Sequence, residues 1–85
     1  MPVISAFFGI FIYMRHNEHN PPHFHASYGE YEAAFDIGTW KMRGEFPKNA
    51  TKMVIEWAKL HELELLENWT NGKERGIFKK IKPLD

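Results

Sequence analysis

The chain contains no cysteine. Disulfide scaffolds and thiolate metal sites are therefore excluded, and a reducing compartment is compatible. It also lacks net charge, since eleven Lys and Arg balance eleven Asp and Glu. No global field points to nucleic acid. No hydrophobic run is long enough to span a bilayer. The apolar stretch from Val3 to Met14 has neither a basic start nor a small-residue cleavage pattern. It reads as part of a fold, and the chain as soluble and cytoplasmic with no membrane partner. Repeats, linkers and low-complexity segments are absent.

What the chain has is aromatic side chains and histidine. Seven Phe, three Tyr and three Trp supply a generous core for 85 residues, which read as one domain, 1–85. A domain this small buries only about 60% of its unfolded surface, so association would help it. Four of the five histidines lie within His16-Asn17-Glu18-His19-Asn20-Pro21-Pro22-His23-Phe24-His25-Ala26. The prolines stiffen a loop carrying His16, Glu18 and His19. After them, His23-Phe24-His25-Ala26-Ser27-Tyr28 alternates with the period of a half-buried strand.

The remaining pattern predicts an α+β fold: a three- to four-stranded antiparallel meander with one long helix packed on its apolar face. Phe7 to Met14 is apolar on both parities and reads as a central strand, or as one with its second face against a partner chain. Gly29-Glu30 has the signature of a type II′ turn. Closing that hairpin pairs Tyr28 with Tyr31, Phe24 with Phe35, His25 with Ala34, and His23 with Asp36. A second tight turn at Gly38-Thr39 extends the register to Ile37–Trp40, Asp36–Lys41, Phe35–Met42 and Ala34–Arg43. Pro47 then starts a helix from about Lys48 to Trp69, ended by Asn71-Gly72. Ala50, Val54, Trp57, Ala58, His61 and Leu65 share its main face. Trp57 and Leu65 are expected against Phe24 and Phe35, with His61 as a satisfied core histidine. Ile55, Leu63 and Leu66 lie off that face. Together with the two-sided first strand, they predict a homodimer or a protein partner. The tail from Ile77 to Leu84 reads as an extra strand or an ordered arm.

Several segments resemble a known family. They are Met1-Pro2-Val3-Ile4-Ser5, Phe8-Gly9-Ile10, His19 to Ala26, Tyr28-Gly29-Glu30-Tyr31, Gly44-Glu45-Phe46-Pro47, Glu56-Trp57, Glu64-Leu65, Asn68-Trp69 and Ile81-Lys82-Pro83-Leu84. These resemble the bacterial family catalogued as domain of unknown function 4160. The resemblance implies a small cytoplasmic prokaryotic protein whose gene lies beside that of a second small family. It implies a partner encoded by the neighbouring gene, in a pair of toxin–antitoxin type. The family carries no established catalytic residues to transfer.

Two classes of function follow. The first is an interaction module in such a two-gene pair. The second is a small ribonuclease, or a phosphate- or metal-binding enzyme, centred on the strand His-x-His face. His23 and His25 project from one face roughly 7 Å apart, a workable ligand spacing, with Asp36 as third ligand or orienting group. These three are the catalytic and metal candidates. His23, His25, Lys41 and Arg43 are the candidates for an anion or an RNA backbone. Lys41 and Arg43 oppose a cation, and a solvated face with His23 paired to Asp36 is the plain alternative. Apart from a divalent metal on this face, no cofactor is implied, and enzyme activity is left open.

Overall fold

The computed structural model describes residues 2–16 and 18–85. Five strands, β1 (Val3–Phe7), β2 (Ile10–Tyr13), β3 (His23–Tyr28), β4 (Tyr31–Asp36) and β5 (Met42–Glu45), precede two helices, α1 (Lys48–Leu60) and α2 (Glu62–Glu74). The strands form one antiparallel sheet in the order β1-β2-β3-β4-β5. The α+β class and the meander are as predicted. The counts are not: there are five strands rather than three or four, and two helices rather than one.

The extra strand comes from the first apolar run, which folds as a hairpin. Phe8 and Gly9 take φ of 50° and 80°. Two consecutive residues at positive φ make the turn whose twist matches antiparallel strands. Gly9 does this at no steric cost; Phe8 is an unusual occupant of that region, so the turn carries no recognisable signature.

The β3–β4 hairpin has the predicted register throughout, from Tyr28↔Tyr31 to His23↔Asp36. Gly29 turns with φ 59°, while Glu30 is not among the positive-φ residues, as a type II′ turn requires. The next connection is wider than a two-residue turn. Trp40 takes φ 63° and its N–H donates to the Asp36 carbonyl at 3.0 Å instead of pairing with Ile37. The register beyond it still joins Phe35 to Met42 and Ala34 to Arg43.

The helix breaks at His61, which takes φ −121° and ψ 26°. His61 is therefore a junction residue, partly buried against the Trp57 ring at 5.6 Å, with Nδ1 2.6 Å from Glu64 Oε1, rather than a histidine enclosed in the core. The break lets α1 present Trp57 and α2 present Leu65 and Trp69 to one core. Trp57 is fully buried, edge-on to Phe24 at 5.9 Å, and Phe24 stacks on Phe35 at 5.4 Å.

Nor does Gly72 end α2, which continues to Glu74. A Cβ at Gly72 would lie 2.1 Å from the Phe78 ring, so only glycine lets the tail cross there. The tail is an ordered arm. The Ile81 N–H donates to the Ile4 carbonyl at 2.8 Å, and Trp57 Nε1–H donates to the Lys82 carbonyl at 2.8 Å. Buried Asn68 exchanges two hydrogen bonds with the Lys79 backbone, at 2.8 and 2.9 Å.

Candidate functional site

Alternation along β3 sends Phe24 and Ala26 into the core and sets His23 and His25 on the opposite face. The loop between β2 and β3 covers one end of that face. It includes a cis Asn20–Pro21 peptide and brings the Glu18 side chain over both imidazoles. His25 Nε2 lies 2.5 Å from Glu18 Oε1, and His23 Nε2 lies 3.4 Å from the same oxygen. One ligand atom from each of Glu18, His23 and His25 falls within 4.8 Å of the other two. Among the described residues, this is the one cluster of three side chains able to hold a metal ion.

Each ring is oriented from behind. His23 Nδ1 lies 2.8 Å from the Pro21 carbonyl oxygen. A carbonyl only accepts, so Nδ1 carries the proton and donates. The buried His23 ring also meets His25 edge-on at 5.2 Å and Trp69 at 5.0 Å. His25 stacks on Tyr13, with centroids 5.3 Å apart. Arg15 lies over the other ring of interest, its guanidinium carbon 5.7 Å from the Tyr13 centroid.

The electrostatics follow from burial and from this pairing. Burial pushes the His25 pKa down; the hydrogen bond and charge of Glu18 oppose that, but Arg15 and His23 add to it, and the net shift is downward. For Glu18, burial acts upward but is outweighed by hydrogen bonding to His25 and by the charges of His25 and His23, so its pKa is lowered. Near neutral pH the site holds an ionised carboxylate beside a neutral His25, whose Nε2–H donates to Glu18. Tyr13 is pushed up by burial and by the Glu32 carboxylate, which accepts from its hydroxyl at 3.4 Å.

The structure redistributes the sequence candidates. His23 and His25 share the site, but the carboxylate they share is Glu18. Asp36 stands opposite His23 in the register, yet its Oδ1 pairs with the Arg43 guanidinium at 2.7 Å, as an ion pair without hydrogen-bond alignment. Arg43 is thereby engaged, and Lys41 is exposed in the β4–β5 connection. His19 is exposed, while His16 stacks on Phe78 at 4.7 Å and props the tail. Sequence reasoning missed Glu18 as a partner, and Arg15 and Tyr13 altogether. A carboxylate five residues before a His-x-His pair, across a double proline, is the one signal that could have pointed to Glu18.

Fold and site together define a small α+β domain with two histidines and one carboxylate converging at one end of an antiparallel sheet. Residues 9–70 match the family described as Domain of unknown function (DUF4160), and the chain belongs to that family. The match includes Glu18, His23 and His25. No curated protein and no solved structure matches the chain. Among the described residues, no helix is long and apolar enough to cross a membrane.

Proposed function

We propose that the protein is a small enzyme acting on phosphate esters, with RNA as the substrate class, and that Glu18, His23 and His25 are its reacting groups. The observation that carries this reading is the 2.5 Å contact between Glu18 and His25, at a half-buried position where the imidazole is held neutral. A carboxylate-oriented neutral imidazole cluster can withdraw a proton from a hydroxyl or water. The freed oxygen bonds to phosphorus, the ester oxygen leaves, and the proton returns to it. Arg15, whose charge reaches His25, supplies positive potential for the phosphate. Incubation with single-stranded RNA and with a chromogenic phosphodiester tests this. Cleavage is expected, falling by about 10²–10⁴-fold in His25→Ala with the fold intact by circular dichroism. An inert native chain removes the reading.

A second reading is favoured by a different observation. Leu60 and Leu63 at the helix junction are 69% and 79% exposed, beside half-buried Leu66. These side chains support an interaction module that binds the product of a neighbouring gene in a toxin–antitoxin-like pair, or a second copy of this chain. Sedimentation of the chain alone and after co-expression with that product separates the cases. A monomer in both sinks this reading and leaves the first untouched.

A further inference from the structure

We propose that Glu18, His23 and His25 hold one divalent transition-metal ion, with zinc the closest chemical fit. The ion would serve the phosphate-ester chemistry proposed above by activating the attacking water in place of the imidazoles, whose Nε2 atoms it would occupy, and so the assignment rests on the same three side chains.

His23 is decisive. Its Nδ1 proton is committed to the Pro21 carbonyl. Nε2 is therefore the atom the ring offers to a ligand, and it stands 3.4 Å from Glu18 Oε1. His25 Nε2 converges on the same oxygen. A proton between His25 and Glu18 compensates one edge of this triangle. The His23–Glu18 edge, 3.4 Å across, is spanned by no such short contact. A divalent ion compensates all three edges at once.

The geometry and the surroundings suit such an ion. Two ligand atoms about 2.0–2.1 Å from zinc at a tetrahedral angle stand about 3.4 Å apart. The His23–Glu18 separation is already 3.4 Å. The His25–Glu18 contact would open by about 1 Å as the ion replaces the shared proton. The His23–Pro21 hydrogen bond is the outer-layer contact that metal-binding imidazoles require to fix ring and tautomer. Two imidazoles and a carboxylate, with no thiolate in the chain, match zinc and its divalent neighbours and leave a fourth position for water. Of the cations that would oppose a metal, Arg43 is drawn off by Asp36, while Arg15 over the Tyr13 ring remains beside the site. A bound ion would also acidify a water, which the imidazoles alone do not.

The test is titration of chelator-treated full-length chain with zinc chloride by calorimetry, and with cobalt chloride by visible absorption. Histidine ¹⁵N shifts are followed by NMR. One ion per chain is expected, with cobalt d–d bands and shifts centred on Nε2 of His23 and His25. Glu18→Gln and His25→Ala should each weaken binding by about 10–100-fold or more. Asp36→Asn and His19→Ala should leave it unchanged. Circular dichroism guards against misfolding, and Glu18→Gln, on a loop, carries the test if a buried histidine variant fails to fold. No saturable binding at millimolar zinc overturns the assignment. So does unaltered binding in folded Glu18→Gln, or a His23 doubly protonated at neutral pH and unmoved by zinc. Zinc binding without RNA cleavage keeps the ion and removes the hydrolase. Cleavage indifferent to chelator, without zinc binding, does the reverse.

Discussion

Strand β3 serves two faces of the sheet, and the two are built on opposite rules. On one face Phe24 and Ala26 join Ile12, Phe35 and Trp57 in the hydrophobic core. On the other, His23 and His25 meet Glu18, Tyr13 and Arg15. The first face gains from removing apolar surface from water and is indifferent to direction. The second has directed contacts, each dependent on a neighbour's proton or charge. Apolar packing is thus concentrated on one side of a single strand and titratable groups on the other. Alternation lets adjacent residues answer to different demands.

The comparison can be broken by substitutions of decreasing effect. Trp57→Ala empties the centre of the core and should cost about 3–5 kcal/mol in denaturant unfolding. For a domain of this size that is a large share of the total. A loss under about 1 kcal/mol would mean the core is not centred on this ring. Gly72→Ala should come next, at about 1–3 kcal/mol, because the new methyl collides with Phe78. Phe78→Ala in the same chain should recover part of that loss. Additive effects in the double variant would show that the arm does not cross at this point.

A subtler effect belongs to the other face. The His25 pKa is lowered in the folded chain, so the unfolded state binds the proton more readily. For the metal-free protein, stability should hold above the ordinary value of 6.5 and decline as pH falls through it toward the depressed folded value. His25→Gln should flatten that decline in unfolding curves taken from neutral pH downward. An equally steep profile in the variant would assign the dependence to another group. The smallest change is expected at the helix junction. Leu63→Ser should alter stability by no more than about 0.5 kcal/mol, since the side chain is 79% exposed. If unfolding shows a much larger loss, the residue is covered in solution, and association is the first explanation to pursue.

The β3–β4 hairpin was legible in the sequence because alternation and a Gly-x turn are local signals, and a slip of one residue would mix the faces. The facing of His23 and His25 came with it, as did Trp57 on the buried side of its helix. Three features were not local. The Phe8-Gly9 turn depends on strand pairing that forces Phe8 into a region it does not prefer. The break at His61 has no glycine or proline to announce it, and arises where one straight helix could not bring both Trp57 and Trp69 to the core. Gly72 resembles a helix terminator until the arm is seen lying across it.

The candidate site divides in the same way. Composition and period alone determined that two imidazoles would share a strand face, because side chains two residues apart on a strand must point the same way. Which carboxylate they would face was decided only by tertiary structure. The register did place Asp36 opposite His23, but Arg43 on the next strand claimed its charge. Glu18 reached the imidazoles through the path of a loop, and no periodicity along the chain encodes that path.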